Sequence, residues 1–410
     1  MSLSESEPEV LVSPFRYWKK LKPVATPKPI LKRPSASMGG GQAKKQKVSA
    51  GDSDGSQSED PFFFTLGTDA SGFENGMRAA LVANLSPQLV FTCEKDKKLR
   101  ELIRVTYKPI TSYVDMTTRN NHKAPTVQLF ITSPNCQSYS TNGKLSGIED
   151  DRGKHLIHTL DYVKVQQPKV MILEEVPGLA TMLKFQKTWK HVLKSLKKYG
   201  YTVDWSILDA YDYYLPQHRP RLYLVAIHGT KMRDFVWPKP ISDDNRIPIA
   251  KLLEPKRKKN VKAAPHHSKT NQDSLTACMQ EIRAAHYRPD KDNIIIDLDG
   301  SASYRQWQVE KSPCLTATRG RQGGYYVTTR QRRFTLNEMF RLQGIIPEEV
   351  AWNSVKGLSH QMMGHAIGNA FPVSVMCHLI PEALYAAGII HSIPLNQFQE
   401  KKGDFFKQSK

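Results

Sequence analysis

VQLFITSPNCQSYS, from Val127 to Ser140, joins an apolar run to a proline-containing loop. The run Val127 to Thr132 reads as a strand buried on both faces, as strands of parallel sheets are. The loop after it puts Cys136 at the carboxyl end of the sheet, where open α/β sheets take their ligands. A cysteine there is a candidate nucleophile. A small buried loop residue is the competing reading.

Outward from this stretch the pattern alternates. Phe62 to Leu66 reads as a strand, followed by a helix near Gly76 to Asn84. Leu89 to Cys93 is a second strand, and the helix after it carries Leu99, Leu102 and Ile103 on one side. Tyr113-Val114 leads to Asp115, and Lys169 to Leu173 is a further strand. Residues 184 to 198 set Phe185, Trp189, Val192, Leu193 and Leu196 at helical spacing, with a lysine face opposite. Arg221 to Ile227 is a later strand. Strands alternating with helices predict an α/β fold, a doubly wound and mostly parallel sheet. The pattern fades after Trp237, although Asn293 to Leu298 reads as a short strand. It returns near Thr335, and a last helix is expected over roughly 372 to 387.

The chain carries 59 Lys+Arg against 39 Asp+Glu, a net charge of +20, which suggests a polyanionic partner such as nucleic acid. Its five cysteines are widely spaced with no CxxC pair, so neither a zinc site nor a disulfide framework is suggested. A reducing intracellular compartment fits. No apolar run reaches the roughly 20 residues of a membrane span. Residues 1–60, rich in Pro, Ser, Lys and Gly, read as a disordered basic tail. Within it, Lys32-Arg33 and Lys44-Lys45-Gln46-Lys47 are spaced like a bipartite nuclear import signal. A tail that touches phosphates, or is simply solvated, is the alternative.

Three carboxylates sit near early strand ends: Asp69, Glu94 and Asp115. One at the end of the second strand suits a ribose, whose two hydroxyls both donate to it. Together the three favour a nucleoside cofactor, and Gly67 to Gly72 supplies small residues beside them. Glu174 ends the strand KVMIL, and if that strand lies beside the Cys136 strand, an acid and a nucleophile share one crevice. Arg219 and Arg221, two apart on an extended segment, point the same way and suit carbonyl or carboxylate oxygens. A helix-capping Glu and a structural salt bridge are the competing readings.

Taken together these segments resemble the DNA (cytosine-5) methyltransferases. SPNCQSYS resembles the family's Pro-Cys-Gln loop, and 150 to 179 the segment leading into its Glu-Asn-Val motif. YGYTVDWSILDAYDYYLPQHRPRLYLVAI (199 to 227) resembles the Gln-x-Arg-x-Arg region. PCLTATRG (313 to 320) with RRFTLNEMFRLQGI (332 to 345) resembles the ninth motif, and MGHAIGNAFPVSV (363 to 375) the tenth. The resemblance runs from about Phe64 to Leu379.

The resemblance implies a Rossmann-like methyltransferase sheet with a smaller, irregular target-recognition domain. The boundaries expected are a catalytic domain at 61–237, target recognition at 238–325, a return to the catalytic domain at 326–392 and a flexible basic tail at 393–410. It also implies S-adenosyl-L-methionine as methyl donor. Glu94 would take its ribose and Asp115 its adenine, while Asp69, Ser71, Gly72, Phe73 and Glu74 wrap the rest, with Pro134 and Asn369 completing the pocket. Cys136 would attack carbon 6 of a cytosine flipped out of DNA, Glu174 would protonate ring nitrogen 3, and Arg221, braced by Arg219, would hold the ring carbonyl. The localisation implied is the nucleus.

Four departures stand out: Asn135 for a proline, Glu175 for an asparagine, Leu215 for a small residue, and GTDASGFENG without the family's paired glycines. Adjacent carboxyls raise one another's pKa, so Glu175 is a candidate for keeping Glu174 protonated. Residues 300 to 341 hold eight Lys or Arg against two Glu. With Lys256 to Lys259 they suggest a phosphate-tracking cleft and a log affinity–log salt slope near about −5. QEKKGDFF (399 to 406) faintly resembles a sliding-clamp peptide. A tRNA cytosine methyltransferase and a catalytically inactive DNA-binding homologue are the alternative functions.

Overall fold

The computed structural model describes residues 60–134, 154–256, 268–300 and 306–407. Cys136, Asn135 and the basic clusters before residue 60 lie outside these residues, as do Arg257, Lys258 and Lys259.

The chain enters through β1 (Phe63–Asp69), α1 (Asn75–Val82), β2 (Ser86–Cys93), α2 (Lys97–Tyr107), β3 (Thr111–Tyr113) and β4 (Leu129–Thr132). It continues through α3 (His155–Gln166), β5 (Val170–Glu175), α4 (Gln186–Lys198), β6 (Tyr201–Asp209) and β7 (Pro220–His228). These seven strands form one sheet in the order β3-β2-β1-β4-β5-β7-β6. The first five are parallel, and β7 runs antiparallel to both β5 and β6. The order reverses at β1 and β4, the crevice position of doubly wound sheets.

Central strands are apolar because both their faces are covered. In β5, Val170 and Ile172 belong to one core cluster and Met171 and Leu173 to another, following the two-residue period of a strand. The second cluster is roofed by α3 and α4, where Trp189, Val192 and Leu196 pack inward and the lysines face solvent. Opposite them lie α1 and later elements of the chain.

Those later elements are α5 (Lys269–Ala284), β8 (Ile294–Asp297), β9 (Gln306–Val309), α6 (Ala317–Arg321), β10 (Tyr326–Val327) and β11 (Arg332–Arg333). They are followed by α7 (Leu336–Leu342), α8 (His360–Asn369), α9 (Val373–Ala386) and α10 (Gln397–Lys401). Among the described residues β11-β10-β8-β9 make a second, antiparallel sheet. With α5 it has a small core of its own around Cys278, Ile282, Ile294, Ile296 and Leu298. The stretch expected to be irregular therefore holds a 16-residue helix. The sequence hides it because α5 buries only Ser274, Cys278 and Ile282, a narrow stripe with one large apolar side chain.

The segment from 393 is not a flexible tail. Phe398 and Phe405 are fully buried and stack at 3.8 Å, and Phe398 stacks on Tyr214 at 5.2 Å. Asn84 anchors the segment by donating to the Leu395 carbonyl at 2.7 Å and to Glu400 at 2.9 Å. A clamp-binding peptide must offer its aromatic pair to a partner, and here Phe405 belongs to the core. That expectation is withdrawn.

Candidate active site

The loop between β1 and α1 takes the left-handed conformation three times in five residues, at Ala70, Gly72 and Glu74. Only glycine adopts it without steric cost, so Ala70 and Glu74 store backbone strain. Hydrogen bonds hold the loop in place. The Gly72 N–H donates to Glu94 Oε2 at 2.8 Å, and the Asp96 N–H donates to Glu94 Oε1 at 2.8 Å. Each carboxylate oxygen keeps a second lone pair, enough for a ribose diol. Burial pushes the Glu94 carboxyl up. A Cβ on Gly72 would meet nothing within 4 Å, so the glycine serves its backbone angle beside open space. One strand over, Asp115 accepts from the Thr117 N–H at 2.9 Å and faces Lys95 Nζ at 3.2 Å. Partial burial works against its charge, but Thr117 and Lys95 prevail and hold it below the usual carboxylate range. Gly72, Glu94 and Asp115 thus follow the carboxyl ends of the adjacent strands β1, β2 and β3, with donors and acceptors that fit S-adenosylmethionine.

The other loop carboxylates are turned inward. Glu74 is sealed, accepting from Thr68 Oγ1 at 2.8 Å, Thr92 Oγ1 at 3.0 Å and the first-turn Met77 N–H at 3.4 Å. It shapes the loop and caps α1, and burial raises its pKa to about 7. Asp69 points to the opposite face, where its carboxylate pairs with buried Arg119. Neither side chain wraps a ligand. Ser71 is held in the same hydroxyl network, 2.7 Å from Thr68 Oγ1, and Phe73 packs edge-on against Phe340 at 6.0 Å.

At the centre of the sheet β4 and β5 run side by side, so the chain that leads through buried Pro134 towards Cys136 leaves next to Glu174. The Ser133 hydroxyl donates to Glu174 Oε2, and Arg221 Nε lies 3.2 Å from Glu174 Oε1. Glu174 and Glu175 point to opposite faces because they are successive strand residues. Glu175 accepts only from its neighbouring Val176 N–H, at 2.7 Å, and its other oxygen is buried without a partner. Burial, with a lesser push from Glu174, lifts Glu175 well above the usual range.

Both arginines approach Cys314, Arg219 Nη1 at 3.4 Å and Arg221 Nη2 at 3.7 Å. Burial opposes the Cys314 thiolate, but Arg221 and Arg219 outweigh it and hold the thiol below its ordinary pKa. Arg219 itself is sealed and donates to the carbonyls of Leu315 at 2.6 Å, Gly368 at 2.9 Å and Ala370 at 2.7 Å. It braces the segment around exposed Asn369 and touches no substrate space. From the start of α1, Asn75 donates to the Phe371 carbonyl at 2.7 Å. The Asn369 segment is thus tied to both halves of the site.

Sequence reasoning missed Ser133, Asn75, Cys314 and Arg119. The first directly precedes Pro-Asn-Cys and the third lies inside PCLTATRG, so proximity to the motifs was the available signal. Asn75 and Arg119 carry none. Local positive charge overstates the cleft. Arg319 pairs with Asp297 at 2.9 Å, Arg332 with Glu338 at 2.8 Å and Arg333 with Asp299 at 2.7 Å, while Arg330 donates to the Glu254 carbonyl at 2.8 Å.

The family model for C-5 cytosine-specific DNA methylase matches residues 66–384. Type II methyltransferase M.NgoBI of Neisseria gonorrhoeae is 29% identical over 290 residues, covering 70% of this chain and 83% of that one. Type II methyltransferase M.BsuFI of Bacillus subtilis is 33% identical over 168 residues, and the match spans only 40% of either chain. Among solved structures, the Entamoeba histolytica methyltransferase EhMeth aligns with a TM-score of 0.58 at 15% identity, over 78% of this chain and 97% of that one. The S. pombe Dnmt2 methyltransferase aligns with a TM-score of 0.54 at 17% identity, over 78% and 98%. These structures share the fold. With its family model spanning both the 70–74 loop and the Arg219-braced segment, the chain belongs to the C-5 cytosine-specific DNA methylases.

Proposed function

We propose that this protein methylates carbon 5 of cytosine in DNA. One observation carries the reading beyond family membership. Glu174, Arg221 and Ser133 converge at the carboxyl end of β4 and β5, with Ser133 three residues before Cys136. The target base is flipped into this crevice, at a cost of a few kcal/mol. The Cys136 thiolate adds to carbon 6, and the electrons of the 5,6 double bond move to carbon 5. Arg221 turns from Glu174 to the ring carbonyl, and Glu174, taking a proton from solvent as the ion pair opens, lends it to ring nitrogen 3 and recovers it when Cys136 leaves. S-adenosylmethionine, when bound against Glu94, Gly72 and Asp115, supplies the methyl group to carbon 5. A base then removes the carbon 5 proton, and the returning electrons expel Cys136. Nuclear import through the two clusters before residue 48 is a separate element of the proposal, and the bacterial relatives lend it no support.

Transfer of labelled methyl to duplex DNA and to tRNA tests the assignment. Label is expected in DNA, absent with Cys136→Ala and reduced about 100-fold or more with Glu174→Gln. Label confined to tRNA transfers the reading to an RNA substrate. DNA binding without label makes the protein an inactive homologue and turns attention to Asn135 and Glu175.

A further inference from the structure

Asp69 and Arg119 form an ion pair closed off from solvent, with side-chain exposures of 0% and 1%. Arg119 uses both ends of its guanidinium: Nη1 donates to Asp69 Oδ1 and Nη2 to Asp69 Oδ2 at 2.8 Å. Its Nε donates to Asn121 Oδ1 at 3.0 Å, and Asn121 in turn donates to Asp161 at 2.7 Å. The guanidinium carbon lies 4.8 Å from the ring centre of Tyr162, 5.1 Å from Phe91 and 5.3 Å from Tyr113. Arginine does not deprotonate in such a setting, so Arg119 stays charged, while burial pushes the Asp69 carboxyl up against the pull of Arg119.

Stability alone is a poor reason for this arrangement. Apolar residues of similar volume commonly hold a fold as well as a buried ion pair, since desolvating two charges offsets most of their attraction. The placement gives a better reason. Asp69 closes β1 and opens the left-handed loop that bonds Glu94, and its carbonyl accepts the Ser133 N–H at 3.4 Å. Arg119 lies four residues beyond Asp115, and its backbone N–H donates to the Asp115 carbonyl at 3.2 Å. The pair therefore reaches under β2 and joins the loop after β1 to the turn after β3. Asp69 also lies within the stretch GTDASGFENG that lacks the family's paired glycines.

We propose that Asp69 and Arg119 are positioning residues that set the spacing between the 70–74 loop and Asp115, and with it the affinity for the methyl donor. The proposal rests on the reading that these strand ends take S-adenosylmethionine. Arg119 acts through Asp115 and the loop and touches neither cofactor nor DNA.

The experiment compares wild type, Arg119→Met, Arg119→Lys and the double variant Asp69→Leu/Arg119→Met. Calorimetry gives the binding of S-adenosylmethionine to the free protein, thermal unfolding gives stability, and methyl transfer gives KM and kcat. Arg119→Met should weaken cofactor binding and raise its KM roughly tenfold or more, the scale of a small misplacement, with kcat within about threefold. Arg119→Lys, which keeps the charge but not the fork, should fall between. The double variant should regain stability but not affinity. If it regains both, the pair is mere packing and the proposal is overturned. It is also overturned if Arg119→Met folds and binds cofactor within twofold of wild type. Wild type that binds no S-adenosylmethionine overturns the cofactor reading itself, a different result from equal binding by wild type and variant.

Discussion

At the scale of single residues, Glu74 makes stability depend on pH. Burial raises its pKa to about 7 in the folded protein, above the usual value of an exposed glutamate. The folded state therefore holds a proton that the unfolded state has lost, and stability falls as pH rises through this window. The full shift corresponds to about 3 kcal/mol. Glu74→Gln keeps an acceptor for the cap of α1 and removes the titration. The difference in unfolding free energy between wild type and Glu74→Gln should fall from pH 4.5 towards 7 and level off above. A flat difference would place the raised pKa elsewhere. Glu74 also shows how sequence misleads at this scale. It stands in the right motif for a cofactor contact, yet its neighbours Thr68 and Thr92 supply hydroxyls that only the folded register brings to it.

Among elements, α6 and α8 touch backbone to backbone. A Cβ on Gly320 would lie 1.9 Å from the Gly364 carbonyl oxygen, and one on Gly368 would lie 2.2 Å from that of Thr316. No side chain can rotate away to relieve such a clash. Gly364→Ala should therefore destabilise by about 3 kcal/mol or more, at the upper end of overpacking effects, while Gly72→Ala, with open space but a positive φ, should cost only about 1–2 kcal/mol. Chemical denaturation of both variants checks the ranking. Elements differ just as clearly in how far sequence announces them. β4, β5 and α4 are legible because each buries a full face of large apolar residues. α5 is not, since serine and cysteine occupy most of its buried stripe, and neither is α8, whose glycines are chosen for contact with α6. The meeting of Glu174 and Arg221 was readable because strand ends locate them. Arg219 was readable as a member of the group but not as sealed, because its three carbonyl partners come from segments about 100 and 150 residues away.

For the molecule as a whole, the last described segment is part of the core. Phe405→Ala should destabilise by about 3–5 kcal/mol, as loss of a buried aromatic does, and truncation after Pro394 should cost more. Thermal unfolding decides it, and unchanged melting would mean that the segment is dispensable. Charge has a similarly global reading. With Arg319, Arg330, Arg332 and Arg333 engaged internally, about three phosphates remain for the described cleft, giving a slope nearer −3 than −5 in log affinity against log salt. A measured slope of −5 would require basic residues from the undescribed segments. The route of the chain also has a consequence for its biosynthesis. Helix α1 is covered by α9, made some 300 residues later, and Tyr214 waits for Phe398. A nascent chain therefore leaves that face of the sheet uncovered until α9 has been made.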